Sequence, residues 1–279
     1  MDRYAVIGHP IAHSKSPRIH AAFARQTGQD ISYEALLAPI DGFAAAVAAF
    51  RAAGGRGVNV TVPFKLDAHA LANRLSARAR AAGAVNTLVF DGDDIFGDNT
   101  DGAGLVRDLT VNLDCDIADR RVLLLGAGGA ARGVLLPLID ARPATLTLAN
   151  RRADKARELC AACPPRAGVA LDAGGLGEPG GLAGRQFDIV INATSASLAA
   201  EVPDLPAGIY APGALAYDMM YGAGDTAYMI AARAAGATRL ADGLGMLVEQ
   251  AAESFALWRG MRPETTVLLA ELRDEMEQH

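Results

Sequence analysis

The sequence predicts an α/β protein made of two open α/β domains. Two observations predict this fold. Strand patterns alternate with helical patterns in residues 4–102 and again in residues 121–241, as in open sheets covered by helices. The chain has 279 residues, which is enough for about two domains of ordinary size. Hydrophobic residues make up 51% of the chain, so two packed cores are possible.

The first half of the chain contains three strand–helix alternations followed by a hairpin. Ser16 is a preferred N-cap residue, Pro17 suits the first helical position, and Gly28 can end that helix. One further helix is expected between the third strand and the hairpin. Strands are predicted at residues 4–8, 31–37, 57–62, 85–90 and 95–97, and a helix at residues 42–53.

The second half begins with a buried-type strand that breaks at glycine. The run VLLL at residues 122–125 is followed by Gly126, Gly128 and Ala131 and then by a helical pattern. Strand, glycine turn and helix form the context in which G-x-G-x-x-[GA] indicates dinucleotide binding. The helix N-terminus would offer N–H groups to the phosphates. The alternative is a plain turn between strand and helix, without a ligand.

The end of the next strand indicates which dinucleotide would bind. Residues 144–150 form a strand pattern that ends at Asn150, followed by Arg151, Arg152 and Lys155. An acidic residue usually meets the ribose hydroxyl of NAD at this point. Arginines instead suit a 2′-phosphate. We therefore expect NADP(H), and the alternative is an ordinary basic first turn of a helix.

The rest of the second half continues the alternation. A glycine-rich surface loop with little regular structure is expected at residues 168–184, and residues 192–195 lie at the carboxyl end of a strand on the cofactor side. Strands are predicted at residues 187–192 and 214–219, and helices at residues 225–235, 244–258 and 263–276.

Several polar residues of the first half suit a small anionic substrate. Ser14 and Ser16 flank Lys15 before a helix N-terminus, where hydroxyls can hold a carboxylate. Lys65 follows the carboxyl end of a strand, where ligands of open sheets bind. Asp101 follows the hairpin. The alternatives are that Ser16 only caps its helix, that Lys65 is a solvated surface residue, and that Asp101 is only a first-turn acid that the helix dipole favours.

Charge and cysteine content exclude several classes of function. The net charge of −6 argues against nucleic acid and anionic membranes as partners. No signal peptide or membrane-length apolar run is visible, so we expect a cytoplasmic protein. Cys160 and Cys163 lie at the end of a predicted helix without a second pair, so we expect no metal site and no disulfide framework.

Nine sequence blocks, in this order, resemble those of shikimate dehydrogenases. Each block is weakly specific alone, but the ordered set spans nearly the whole chain. They are GHPIAHSKSP (8–17), GVNVTVPFK (57–65), GAVNTL (83–88), DNTDG (98–102), GAGGAAR (126–132), NRR (150–152), INATS (191–195), YDMMY (217–221) and DGLGMLVEQAA (242–252).

The resemblance implies a fold and a reaction. It implies reversible, NADPH-dependent reduction of 3-dehydroshikimate to shikimate, on the route to chorismate and aromatic amino acids. It also implies a substrate domain of residues 1–101, completed by C-terminal helices in residues 243–279 that pack back on it. Residues 102–242 would form a Rossmann-type NADP domain. The expected partner is a small-molecule substrate, and the expected assembly is a monomer or a homodimer.

The resemblance also implies roles for single residues. Lys65 and Asp101 look like the catalytic pair, and both would also contact substrate. The other implied substrate contacts are Ser14, Ser16, Thr61, Asn86, Tyr221 and Gln250. The implied cofactor contacts are Gly126, Ala127, Gly128, Gly129, Ala130, Asn150, Arg151, Arg152, Lys155, Thr194, Met219 and Gly243.

The sequence departs from the family pattern at three places. His9 stands where asparagine is common, Ser197 stands where glycine often follows, and the segment GAGDTAY at residues 222–228 lacks the usual proline and phenylalanine. Two alternatives remain open. One is a quinate/shikimate dehydrogenase that uses NAD, and the other is a non-catalytic regulatory homologue.

Overall fold

Two six-stranded sheets form the framework of the protein. The computed structural model describes residues 1–163, 167–178, 181–194 and 201–278. In these residues the first sheet comprises β1 (Asp2–Gly8), β2 (Ile31–Leu37), β3 (Gly55–Val60), β4 (Arg74–Leu75), β5 (Thr87–Asp91) and β6 (Asp94–Asp98). The second comprises β7 (Arg121–Leu125), β8 (Thr145–Asn150), β9 (Ala170–Gly175), β10 (Phe187–Asn192), β11 (Tyr210–Asp218) and β12 (Arg239–Ala241).

The first sheet brings one set of strand ends to a single edge. Its strand order is β2-β1-β3-β5-β6-β4. Strand β5 is antiparallel to both of its neighbours, and the other pairs are parallel. The carboxyl ends of β3 and β6 and the beginning of β5 therefore lie side by side, which confirms the predicted open sheet and hairpin.

The second sheet is entirely parallel, with the order β12-β11-β10-β7-β8-β9. Strand β7 carries four fully buried residues, as its apolar run predicts. The expectation of little regular structure in residues 168–184 is wrong, because Ala170–Gly175 pairs with β8 along its whole length. An edge strand takes its hydrogen bonds from its neighbour, so this glycine-rich segment forms a strand without a strong pattern of its own.

Ten α-helices in the described residues cover the two sheets. They are α1 (Ser16–Thr27), α2 (Phe43–Ala52), α3 (Lys65–Leu71), α4 (Ala77–Ala82), α5 (Asp101–Arg107), α6 (Gly129–Asp140), α7 (Ala153–Ala161), α8 (Ala227–Ala234), α9 (Leu244–Arg259) and α10 (Thr266–Glu277). A π-helical turn, Asp108–Asn112, continues α5.

Two local predictions of the first half are wrong in detail. Ser16 does not cap α1; Lys15 occupies the N-cap position without a side-chain bond, and Ser16 is the first helical residue. The single helix expected after Lys65 is divided into α3 and α4 by strand β4. The division follows from Ser76, whose hydroxyl accepts the backbone N–H of Ala79 and starts a new helix.

The C-terminal helices pack on the first half of the chain, as expected. Phe255 of α9 and Leu272 of α10 share a buried cluster with Ile19 and Phe23 of α1. These four side chains are at most 1% exposed. The last two helices therefore share a buried core with α1 of the first half.

Candidate active site

Lys65 and Asp101 meet at the shared edge of the first sheet. Lys65 begins α3 after strand β3, and Asp101 begins α5 after strand β6. The Nζ atom of Lys65 donates to Oδ2 of Asp101 at 2.6 Å. The lysine side chain is 18% exposed and the aspartate side chain 6%, so the lysine of this nearly buried ion pair still reaches solvent. This arrangement can hold an oxygen-bearing ligand beside an ammonium group.

Two further predicted residues, Asn86 and Gln250, lie beside this pair. The Nδ2 atom of Asn86 donates to Oδ1 of Asp101 at 2.8 Å and to the hydroxyl of Thr100 at 2.9 Å. Gln250 of α9 approaches from the C-terminal helices, with its Oε1 atom 3.4 Å from both Asn86 and Thr100. The sequence places these residues far apart, and the fold brings them together.

The serine pair lies where α1 begins. The hydroxyl of Ser14 accepts the backbone N–H of Ser16 at 3.3 Å. Ser16 is buried, and Ser14 is half-buried. Thr61 follows β3 and contacts Gly8, where a Cβ atom would lie only 2.5 Å from the threonine methyl group. The two serine hydroxyls therefore lie at the N-terminus of α1, a position that suits a carboxylate, and Thr61 lies where β1 and β3 end.

The glycine turn after β7 has the features that a dinucleotide requires. Gly126 has a φ of +107°, which favours glycine, and a Cβ there would lie 3.1 Å from the carbonyl oxygen of Ala193. Apart from chain neighbours and the helix's own backbone, no atom of the described residues lies within 4 Å of a Cβ placed on Gly128 or Gly129, so a ligand can approach the backbone closely. No side chain in the described part of the chain caps α6, which leaves its N–H groups available to an anion.

Basic side chains follow β8 as predicted. Asn150 donates from Nδ2 to the carbonyl oxygen of Arg152 at 3.0 Å, which shapes the turn. Arg151 and Arg152 are exposed, and no carboxylate of the described residues pairs with either guanidinium. Lys155 instead pairs with Glu158 at 2.7 Å. The two arginines are therefore better placed than the lysine to receive a phosphate.

The remaining predicted cofactor residues, Thr194, Met219 and Gly243, follow the carboxyl ends of β10, β11 and β12. Thr194 donates its hydroxyl to Oδ1 of Asn192 at 2.7 Å, and the carbonyl of Asn192 accepts the N–H of Met219 at 2.9 Å. A Cβ on Gly243 would lie 2.2 Å from the carbonyl oxygen of Met219, so only glycine fits there. The segment after β11 and the segment after β12 are thereby held in close contact.

Tyr221 lies close to this junction and keeps its proton. Burial, and then the nearby charge of Asp242, raise the pKa of the Tyr221 phenol. Asp242 is held by two hydrogen bonds from Arg273 of α10, at 2.5 and 2.8 Å. Tyr221 is therefore a neutral hydroxyl donor at ordinary pH.

Helix α6 connects the glycine turn to the lysine–aspartate pair. A Cβ on Gly133, one turn into α6, would lie 3.0 Å from Oδ2 of Asp101. On the facing helix, a Cβ on Gly102 would lie 2.2 Å from Pro137. Helices α5 and α6 thus approach closely because glycine stands at their contact, and the phosphate-type turn lies next to the candidate catalytic pair.

The comparisons with known proteins agree with this geometry. Residues 6–88 match the shikimate dehydrogenase substrate binding domain, residues 109–200 the shikimate / quinate 5-dehydrogenase, and residues 243–273 the shikimate 5'-dehydrogenase C-terminal domain. Shikimate dehydrogenase (NADP(+)) of Aromatoleum aromaticum is 68% identical over 99% of each chain. The chain belongs to the shikimate dehydrogenase family.

Further relatives extend this finding. Shikimate dehydrogenase (NADP(+)) of Nitrosospira multiformis is 61% identical and covers 99% of this chain and 98% of its own. The solved structure of shikimate 5-dehydrogenase from Thermus thermophilus in complex with NADP(H) and shikimate superposes with a TM-score of 0.83. It is 32% identical, over 98% of this chain and 99% of that one. The predicted family and the predicted two-sheet fold are both confirmed.

Three residues of this shikimate dehydrogenase family member lie in the site but were not singled out from the sequence. The hydroxyl of Tyr33 donates to Oδ1 of Asn59 at 2.7 Å, and Nδ2 of Asn59 donates to Ser254 at 2.9 Å. Asn59 is the one polar side chain inside the buried run of β3, which is a usable signal. Ser254 stands one helical turn after Gln250, which is a weaker signal.

The departures from the family pattern have different outcomes. His9 bonds through Nδ1 to the carbonyl oxygen of Ala38 at 2.8 Å, so it holds the loop after β1. Ser197 lies outside the described residues. Residues 222–226 form an exposed or half-exposed connection before α8, whose first turn is capped by Thr226. None of these positions removes a group from the lysine–aspartate pair.

Other predicted features fall outside the site. Cys160 and Cys163 pack against the core beneath α7, and burial, with the neighbouring Cys163 and Asp172, raises the pKa of the Cys160 thiol to about 12. The described residues hold no group of three or more His, Cys, Asp or Glu side chains that could bind a metal. Within the same residues, no helix has the length and apolar character needed to cross a membrane.

Proposed function

We propose that this protein is an NADP-dependent shikimate dehydrogenase that reduces 3-dehydroshikimate reversibly to shikimate. One observation carries the proposal: the ammonium group of Lys65 lies 2.6 Å from the carboxylate of Asp101, beside the helix that begins at the glycine turn. Reduction of a ketone needs a proton donor at the oxygen that gains charge. The pair provides that donor next to a dinucleotide-type turn.

The chemistry at this pair follows from its charges. NADPH supplies a hydride to the carbonyl carbon when it is bound. Lys65 stabilises the charge that develops on the carbonyl oxygen and donates a proton to it. Asp101 orients the ammonium through Oδ2 and is itself oriented by Asn86 through Oδ1. In the reverse direction Lys65 accepts the proton of the hydroxyl group.

The remaining residues bind the two ligands. Ser14 and Ser16 are proposed to hold the substrate carboxylate, and Thr61, Asn86 and Gln250 its hydroxyls. Tyr221 is proposed to close the substrate site. Support comes from their positions at the ends of β1 and β3 and around Asp101. The N-terminus of α6, uncapped within the described residues, suits a pyrophosphate, and Arg151 and Arg152, which pair with no carboxylate of those residues, suit a 2′-phosphate. The cofactor contacts proposed in addition are Gly126, Ala127, Gly128, Gly129, Ala130, Asn150, Lys155, Thr194, Met219 and Gly243.

The same proposal divides the chain into two domains. Residues 1–101 with residues 243–279 would form the substrate domain, and residues 102–242 the NADP domain. The division is supported by the two separate sheets and by the packing of α9 and α10 on α1. A monomer or homodimer and a cytoplasmic location stay predictions.

The direct test is the initial rate of NADP⁺ reduction by shikimate, followed by exchange of NAD⁺ for NADP⁺ and of quinate for shikimate. We expect fast turnover only with shikimate and NADP⁺. Comparable rates with quinate and NAD⁺ would favour the alternative quinate/shikimate dehydrogenase, which the family description at residues 109–200 also includes. An absence of turnover with every pair would favour a non-catalytic regulatory homologue.

A further inference from the structure

Ser254 of α9 is the point where three segments of the substrate side meet. Its hydroxyl oxygen lies 2.9 Å from Nδ2 of Asn59, 2.8 Å from Oγ1 of Thr87 and 3.2 Å from Oγ1 of Thr100. The side chain is 0% exposed. A buried hydroxyl that joins polar groups of β3, β5 and the start of α5 fixes their relative positions, because a displaced group would lose a partner that water cannot replace.

Each partner of Ser254 stands within two positions of a residue of the proposed site in the sequence. A displacement at Ser254 would therefore be passed on to three groups that face the substrate. The pairs are Asn59 with Thr61, Thr87 with Asn86, and Thr100 with Asp101.

The network around Ser254 also sets the orientation of two amide side chains. The hydroxyl of Tyr33 donates to Oδ1 of Asn59 at 2.7 Å, so the Nδ2 atom of that amide points to Ser254. Asn86 directs its own Nδ2 atom at Oδ1 of Asp101, 2.8 Å away. Its Oδ1 atom accepts the hydroxyl of Thr87 at 2.9 Å. Thr87 links the two amides directly, since Nδ2 of Asn59 also donates to its hydroxyl oxygen at 3.1 Å, and Ser254 bonds to both Asn59 and Thr87 and so holds this link in place.

We propose that Ser254 is a positioning residue that couples the two ends of the substrate site. One end is the carboxylate seat beside Ser16, and the other is the reacting end at Lys65 and Asp101. Ser254 acts through Asn59, Thr87 and Thr100, and not on the reacting atoms. The proposal rests on the proposed function of this site, since that function assigns the two ends.

The first test compares Ser254→Ala with Val248→Ala. Both side chains are fully buried on α9, but Val248 belongs to the apolar cluster with α1 and takes no part in the network. Both variants should lower Tm. Only Ser254→Ala should raise KM for shikimate by about tenfold and lower kcat by about tenfold, with KM for NADP⁺ unchanged. Val248→Ala should keep all three constants within about twofold.

A second test uses a double-mutant cycle of Ser254→Ala with Tyr33→Phe. If both residues act through Asn59, the combined loss in kcat/KM for shikimate will be smaller than the product of the two single losses. The cycle of Val248→Ala with Tyr33→Phe is the control and should show a simple product. If Ser254→Ala does not fold, Ser254→Cys retains the volume and weakens the hydrogen bonds.

Two results would overturn the positioning role. One is a Ser254→Ala enzyme whose KM and kcat for shikimate match those of Val248→Ala, and the other is a simple product in the cycle with Tyr33→Phe. Either result leaves the proposed function intact if the wild-type enzyme oxidises shikimate with NADP⁺. A wild-type enzyme without that activity would instead contradict the proposed function.

Discussion

The substrate side and the cofactor side of the candidate site are prepared in different ways. On the substrate side, Asn86, Thr100 and Asp101 are all at most 5% exposed and bond to one another. On the cofactor side, the contacts of the described residues leave open space at the Gly128 backbone, and no carboxylate among them pairs with Arg151. The side chains of the substrate side are therefore oriented before a ligand binds. The groups of the cofactor side are brought together only by the ligand.

This difference predicts different kinetic consequences. Groups that are already oriented contribute mainly to the transition state, because little reorganisation is left when the ligand binds. Free cationic groups and helix N–H groups contribute mainly to binding of the anionic cofactor. We therefore expect changes at the lysine–aspartate pair to act mainly on kcat, and changes on the cofactor side to act on KM for NADP⁺.

The largest effect should come from Lys65→Ala. Loss of the ammonium removes the proton donor and leaves Asp101 without its 2.6 Å partner. We expect kcat to fall by about 10²- to 10⁴-fold, with a modest change in KM for shikimate. Leu66→Ala, at an exposed neighbour on the same helix, is the matched control and should retain kcat. A Lys65→Ala enzyme that keeps most of its kcat would disprove the catalytic assignment.

A smaller effect, on the other kinetic constant, should follow from Arg151→Ala combined with Arg152→Ala. Each guanidinium can make charge-assisted bonds to a 2′-phosphate, so we expect KM for NADP⁺ to rise by about ten- to a hundredfold. KM for NAD⁺ and kcat should change little, because NAD⁺ has no such phosphate. Steady-state kinetics with both cofactors measures this shift.

The control for the arginine variant is Arg157→Ala. Arg157 lies on the same basic segment, in α7, but is paired with Glu178 at 2.5 Å. We expect its loss to leave KM for NADP⁺ unchanged. An equal rise of KM for NADP⁺ and NAD⁺ in the double variant would show that the arginines contribute general charge and do not select the 2′-phosphate.

The same comparison explains which parts of the structure could be predicted from sequence. The glycine turn and the basic segment after β8 are local patterns, and the structure has both where they were expected. Central strands such as β7 were found because a buried apolar run is distinctive. The edge strands β9 and β12 were missed because their pairing comes from β8 and β11, and their own residues carry little signal.

The network on the substrate side could be predicted only in part. Lys65, Asn86 and Asp101 stand in recognisable blocks, and their side chains meet as the resemblance implies. The bond between Asn59 and Ser254 joins residues that are 195 positions apart. No local periodicity encodes such a contact, because it depends on how α9 packs across the sheet.

The smallest predicted effect is a change in stability, and it again distinguishes the substrate side from the cofactor side. Asp98 ends β6 just before the substrate-side network and is 3% exposed. Burial alone would raise the pKa of its carboxyl, but the paired hydrogen bonds and charge of Arg78, with bonds from Ser76 and Asn99, bring that pKa below its ordinary value. The folded state therefore favours the ionised carboxylate.

The sign of the pH dependence follows from this lowered pKa. Stabilisation by Asp98 is present above the unfolded value of 3.8 and is lost as the pH falls through the lower folded value. Asp98→Asn should reduce the free energy of unfolding by about 1–2 kcal/mol at neutral pH. The difference from wild type should shrink below about pH 4. Urea unfolding from about pH 3 to pH 7 measures it.

Arg157→Ala also supplies the control for this measurement, since its partner Glu178, on the cofactor side, keeps 36% of its side chain exposed. A solvent-accessible ion pair contributes little to stability, so this variant should stay close to wild type across the same pH range. A difference between Asp98→Asn and wild type that persists undiminished at low pH would mean that Asp98 stabilises the fold by packing and not by its charge. The charge of Asp98 would then not help to order the substrate side before a ligand binds. The substrate side would in that case differ from the cofactor side through its neutral hydrogen bonds alone.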